Sequence, residues 1–72
     1  MNATVAYKHE TFTRAQVMQA LASALDDVRS TESDIRLLSE LHVQMCVDQV
    51  GTIDAETQDD KIRRLLDFFV KL

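Results

Sequence analysis

The chain has 72 residues, of which 46% are hydrophobic, and a formal net charge of −4 at pH 7. This length supports one domain with a small core, and such chains often depend on a disulfide, a metal or a partner for stability. A lone cysteine, Cys46, excludes an internal disulfide, and the acidic balance disfavours nucleic acid as a partner. One glycine and no proline favour a few long helices over a sheet, which needs frequent turn residues.

These features predict an all-α fold, a small three-helix bundle formed as a single domain by residues 12–72. The helices are expected at about residues 13–29, 32–50 and 54–72.

Residues 1–11 are predicted to form a short extended N-terminal arm. Val5 and Tyr7 alternate with polar or small neighbours there, which is compatible with a short strand. A tail that packs on the helices through the same two residues fits the pattern equally well.

The first helix has a clear start. Thr13 and Gln16 fit a capping box, and Phe12 and Val17 are spaced to form a hydrophobic staple around it. Helical spacing predicts a buried stripe of Met18, Leu21, Leu25 and Val28, widened by Val17 and Ala24.

The second helix carries apolar residues on two sides. Its N-cap is predicted at Thr31, and Gly51 is predicted to end it in the left-handed conformation. The main stripe comprises Ile35, Leu38, Leu41 or His42, and Met45, whereas Val43, Val47 and Val50 fall on another side. A helix that is apolar on two sides is covered on two sides, here by the other helices or by a second chain.

The third helix is expected to restart within "TIDAETQDD", with Thr52 or Asp54 as the cap. Acidic residues come early and basic residues late, an order that suits the helix dipole. The predicted apolar stripe is Ile62, Leu65, Leu66, Phe69 and Leu72. One of Phe68 and Phe69 is expected in the core and the other at an interface edge, and the pattern does not decide which.

Three short helices with this composition carry more apolar surface than they can bury among themselves. We therefore expect another polypeptide, either a partner protein or a second copy, to cover the remainder. The predicted partner-binding residues are Val43, Val47, Val50, Phe68, Phe69 and Leu72.

No residue pattern indicates catalysis, a cofactor or a small-molecule substrate. His42 and Cys46 share a helix face, but a structural zinc site needs about four ligands. Adjacent acidic residues, at 26–27 and 59–60, diverge by about 100° on a helix and do not converge on a substrate.

The basic cluster "KIRR" at residues 61–64, with Lys71, is interpreted as a complement to the helix dipole with local ion pairs. Contact with nucleic acid or an acidic partner is the alternative interpretation.

These observations favour a small non-enzymatic protein–protein interaction module, such as a regulator, adaptor or inhibitor, acting as a homodimer or on a partner. Small size, acidity and the lack of a catalytic pattern also fit a bacterial or phage-encoded inhibitor. No apolar run approaches the roughly 20 residues of a membrane span, and the N-terminus lacks the features of a secretory signal. With a lone thiol, a cytoplasmic location is expected.

The order arm, helix, tight link, helix over residues 3–45 resembles the ribbon–helix–helix family. The segment "TESDIRLL" at residues 31–38 is similar to the start of that family's second helix. The resemblance implies a dimeric DNA-binding transcriptional regulator as the alternative function. Arg29 and Ser30 stand where the family has a glycine, and residues 1–50 carry four basic and seven acidic side chains.

Overall fold

The computed structural model describes residues 10–70, which are mostly helical. The elements, in chain order, are β1 (Thr11–Thr13), α1 (Arg14–Asp26), α2 (Glu32–Asp48), β2 (Thr52–Asp54), a 3₁₀ helix (Ala55–Thr57) and α3 (Asp60–Phe69). The three predicted helices are present, but a short two-stranded antiparallel sheet accompanies them, so the fold is not purely all-α. Most of the predicted N-terminal arm lies outside the described residues.

The sheet joins two segments that are far apart in sequence. Its register pairs Thr11 with Asp54, Phe12 with Ile53 and Thr13 with Thr52. Two further backbone bonds extend the pairing: Arg14 N–H donates to the Gly51 carbonyl at 2.9 Å, and Ala55 N–H donates to the Glu10 carbonyl at 2.8 Å. The pairing therefore ties the start of α1 to the chain that follows α2.

The predicted start of α1 is confirmed. The Gln16 backbone N–H donates to Thr13 Oγ1 at 3.1 Å, and the Thr13 N–H donates to Gln16 Oε1 at 2.8 Å. Phe12 and Val17 are both fully buried in one apolar cluster, as a hydrophobic staple requires.

Helix α1 ends at Asp26, three residues before the predicted end. The Asp27 carboxylate accepts a hydrogen bond from the Arg29 backbone N–H at 2.8 Å and two more from the Arg29 guanidinium. This local bonding offers the backbone an alternative to the helix, and it turns the chain toward α2.

Helix α2 starts as predicted, with Thr31 as its N-cap. The Asp34 N–H donates to Thr31 Oγ1 at 3.1 Å, and the Thr31 N–H donates to Asp34 Oδ2 at 3.3 Å. Such a reciprocal pair satisfies two of the backbone donors that every helix N-terminus leaves open.

The prediction that Gly51 adopts the left-handed conformation is wrong. Helix α2 ends at Asp48, and the left-handed residue is Gln49, with φ 57°. Gln49 N–H donates to the Cys46 carbonyl at 3.3 Å and Val50 N–H to the Met45 carbonyl at 3.1 Å, the two bonds of a Schellman motif. Because the helix ends early, Gly51 lies between α2 and β2, where its carbonyl accepts a hydrogen bond from the Arg14 N–H.

Helix α3 begins at Asp60, six residues later than predicted, because β2 and the 3₁₀ helix occupy residues 52–57. Asp59 is the N-cap, without a side-chain hydrogen bond. The helix ends at Phe69, and Val70 N–H closes its last turn by donating to the Leu66 carbonyl at 2.8 Å.

The core is small and draws on every helix. Its ten buried side chains are Phe12, Val17, Ala20, Ala24, Leu38, Met45, Ala55, Leu66, Phe69 and Val70. Within residues 10–70 no polar or charged residue is buried with them. Helix α1 contributes Val17 and two alanines to this core, so it buries little side-chain area of its own.

We expect Gln49→Gly to stabilise the protein by about 1 kcal/mol, because glycine adopts the left-handed conformation without the penalty that other L-residues carry. Gly51→Ala is the matched change: an added methyl would meet nothing within 4 Å. It should be neutral or stabilising by about 0.5 kcal/mol through the unfolded state. Urea unfolding followed by circular dichroism measures both. Destabilisation by Gly51→Ala together with no gain from Gln49→Gly would contradict this helix end.

Candidate interaction surfaces

The first candidate surface is on α2. Val43, Cys46 and Val47 recur at helical spacing, and Val50 follows just beyond the helix; all four are exposed. We call these four residues the α2 stripe. Leu38 and Met45 of the same helix are buried, so the second apolar side predicted for α2 faces away from the chain's own core.

Phe68 and Phe69 have different positions at the end of α3. Phe69 is only 7% exposed and belongs to the core, whereas Phe68 is 55% exposed. Their rings meet edge to face, with centroids 4.9 Å apart and an interplanar angle of 88°. The choice that the sequence left open is therefore decided: Phe68 is the outer residue. Leu72, also predicted to bind a partner, lies outside the described residues.

A second exposed surface on α1 was missed by the sequence reasoning. Met18, Leu25 and Val28 were predicted to be buried, but all three are exposed. The buried face consists of Val17, Ala20 and Ala24, with Leu21 half-buried beside it. Ala15, Met18, Ala22 and Leu25 follow one another at a spacing of three and four residues and are all exposed. We call these four the α1 stripe.

The sequence contains a signal for how α1 is rotated about its own axis. The staple between Phe12 and Val17 directs Val17 inward, and the residues that share its face are Ala20 and Ala24. The large apolar residues Met18 and Leu25 lie on the opposite face, whereas alanines suit a close contact between helices.

Both stripes reach the end of the helical pair at which α1 starts and α2 ends. Arg14, the first residue of α1, is bonded to Gly51, three residues after α2 ends. A five-residue link joins the other ends of these helices, so α1 and α2 run antiparallel. Met18 and Val47 therefore belong to the same half of the pair.

The third candidate surface is a cleft of about 330 Å³ between the α1–α2 link and α3. We call it the link–α3 cleft, and its lining includes Asp27, Arg29, Asp34, Lys61, Arg64, Leu65, Phe68 and Phe69.

Opposite charges in this cleft differ in their exposure. Arg29 Nη2 lies 2.9 Å from Asp27 Oδ2, and the arginine side chain is 74% exposed against 17% for the aspartate. Lys61 Nζ lies 3.6 Å from Asp34 Oδ1, with the same imbalance between an exposed cation and a covered carboxylate. The Arg29 guanidinium also lies over the Phe68 ring, 5.3 Å from its centroid. The cleft therefore presents its cations outward.

The residues of the predicted basic cluster contact different helices. Arg63 and Arg64 each pair with Asp60 on their own helix, at 2.9 and 2.8 Å, which agrees with the expected local ion pairs. Lys61 instead reaches across to α2, and Arg64 remains largely exposed at the cleft.

The two candidate metal ligands, His42 and Cys46, are not among the residues that line the cleft. His42 is half-buried on α2, and the Cys46 thiol is free and exposed. Within residues 10–70, no group of three or more His, Cys, Asp or Glu side chains is arranged to hold a metal ion. Over the same residues, no helix combines the length and apolar character needed to cross a bilayer.

No known protein family, curated protein or solved structure matches this chain.

The bond to Arg29 should make stability depend on acid. Hydrogen bonds from the Arg29 side chain and backbone lower the pKa of the Asp27 carboxyl below its ordinary value, and the same contact raises the pKa of Arg29. A carboxyl with a lowered folded-state pKa stabilises the fold above its unfolded pKa and loses that contribution as pH falls through the folded value. We therefore expect Asp27→Asn to lower the melting temperature at pH 7 and the gap to wild type to narrow in acid.

Asp27→Ala is the matched control, because asparagine keeps the acceptor for the Arg29 backbone N–H whereas alanine removes it. Melting curves from pH 7 downward measure both variants. A gap between Asp27→Asn and wild type that does not change with pH would contradict a role for the charge.

Proposed function

We propose that this protein is a small non-enzymatic interaction module, a regulator, adaptor or inhibitor, that associates through apolar helix faces. The first expected partner is a second copy of the chain. A cytoplasmic location and a bacterial or phage origin belong to the same proposal, through the lone thiol and the small acidic chain.

One observation supports this proposal most strongly: large apolar side chains lie outside the core on ordered helices. Met18, Leu25, Val43, Val47 and Phe68 are each more than half exposed, although the chain has only 72 residues. Scattered exposed apolar residues are ordinary, but those on α1 and α2 recur on one face of each helix. Helix faces with anchors at this spacing are a recurrent mode of protein recognition.

The α2 stripe gives the most direct test. We expect wild-type protein to sediment as a dimer at about 100 μM and Val47→Asp to sediment as a monomer, since a carboxylate would be buried in the interface. Helical content should be unchanged, because Val47 is exposed in the single chain. Analytical ultracentrifugation and circular dichroism make the two measurements.

Ser33→Asp adds the same charge at an exposed position in the first turn of α2, where the helix dipole favours it. This control should remain dimeric. A wild-type chain that stays monomeric and binds no dye for exposed apolar surface would contradict the proposal.

A DNA-binding dimer is the second candidate, because β1, α1 and α2 follow the order strand, helix, helix expected from the family resemblance. In this chain, however, β1 pairs with β2 of the same polypeptide. We expect no retention of bulk duplex DNA in a gel shift at about 50 mM salt, since binding without an excess of cations is weak. Retention that falls steeply with added salt would favour DNA binding over the interaction module.

A further inference from the structure

We propose that the link–α3 cleft binds an acidic peptide segment that carries a bulky apolar side chain. This inference rests on the proposed interaction module and names a partner class for one of its surfaces. The α1 and α2 stripes are not part of this cleft.

The apolar part of the cleft is the Phe68 ring and its surroundings. Phe68 is 55% exposed, and its ring contacts the buried Phe69 ring edge to face and lies under the Arg29 guanidinium. Leu65, one turn earlier on α3, lines the same space and is half-buried. An aromatic ring fixed in this way offers contact area without a large loss of side-chain freedom on binding. The volume, about 330 Å³, is enough for one large side chain.

The charges of the cleft specify the sign of the partner. Arg29, Lys61 and Arg64 project toward solvent, whereas Asp27 and Asp34 lie covered beneath their cationic partners. Asp60, the partner of Arg64, is 60% exposed, so the exposed charges around the cleft are three cations and one carboxylate, a cationic excess in a chain whose net charge is −4. Complementary charges around an apolar anchor accelerate association and exclude partners of the wrong sign.

An acidic peptide fits this combination better than nucleic acid. All three cations of the cleft already contact a carboxylate of this chain, Asp27, Asp34 or Asp60, so their attraction alone is too weak to hold a phosphate backbone and binding depends on the apolar anchor at Phe68. An apolar side chain flanked by carboxylates uses both parts of the cleft, since its anchor meets Phe68 while its acids meet Arg29 and Lys61.

Fluorescence polarisation with three labelled peptides tests the proposal on the full chain. The probe is Asp-Glu-Asp-Leu-Phe-Asp-Glu-Asp; one control replaces Leu-Phe by Ser-Ser, and the other replaces every acid by Lys. We expect the probe to bind with a dissociation constant below about 100 μM and both controls to bind at least about tenfold more weakly.

Two variants place the binding in the cleft. Phe68→Ala and Arg64→Glu should each weaken the probe about tenfold, as loss of an aromatic anchor or inversion of a rim charge does. Arg36→Ala removes an exposed cation from α2, outside the cleft lining, and should leave binding unchanged. Circular dichroism checks that each variant folds. If Phe68→Ala does not fold, Arg64→Glu still tests whether the peptide binds in the cleft.

Val47→Asp separates this proposal from the preceding one, because that variant should still bind the probe. Three results would overturn the cleft proposal: no binding to a chain that still dimerises, equal binding of the basic peptide, or full competition by a ten-nucleotide oligothymidylate. Loss of the dimer in Phe68→Ala without any peptide binding would also overturn it and assign the cleft to a second copy. A failure of dimerisation with intact peptide binding would count against self-association alone.

Discussion

The pairing of Thr11–Thr13 with Thr52–Asp54 fixes how α1 is rotated in this fold. Phe12 lies in the paired strand and is fully buried, and the capping box at Thr13 begins the helix at the next residue. With both fixed, Val17 is placed inward, and the 100° step of the helix places Ala20 and Ala24 on the same face. The opposite side of α1, which carries Met18 and Leu25, is then directed to solvent. The rotation of one helix thus decides which apolar residues stabilise the fold and which stay available for association.

A core built in this way is economical in side-chain volume. Two alanines on α1 allow close approach of the helices, while Leu38, Met45 and Leu66 fill the remaining space. Burying Met18 and Leu25 instead would require a larger core than ten side chains supply. Val43 and Val47 on α2 and the ring of Phe68 also lie outside this core. Charged side chains at the link and on α3 then distinguish the third surface from the two stripes, since only the cleft joins an apolar ring to outward cations.

Features set by neighbouring residues could be predicted from the sequence, and features set by distant ones could not. The cap at Thr13 with Gln16 and the cap at Thr31 are local motifs, and both were predicted correctly. A strand of three residues has no usable periodicity, and Thr52–Asp54 resembles a helix start until Thr11–Thr13 is paired with it. The left-handed residue is Gln49 because α2 ends two residues earlier than predicted, and the glycine at position 51 does not reveal this.

Of the predicted partner residues, Val43, Val47, Val50 and Phe68 are accessible, whereas Phe69 packs in the core because it shares a helix face with Leu66.

The rotation of α1 is tested most directly by the accessibility of two methionine methyl groups. In protein labelled with ¹³C at methionine methyls and kept dilute enough to be monomeric, a soluble paramagnetic agent relaxes each methyl according to its exposure. Met18 is 51% exposed and Met45 only 1%, so the Met18 signal should broaden strongly while the Met45 signal remains sharp. A Met18 methyl as well protected as that of Met45 would place the large apolar face of α1 in the core and contradict this account.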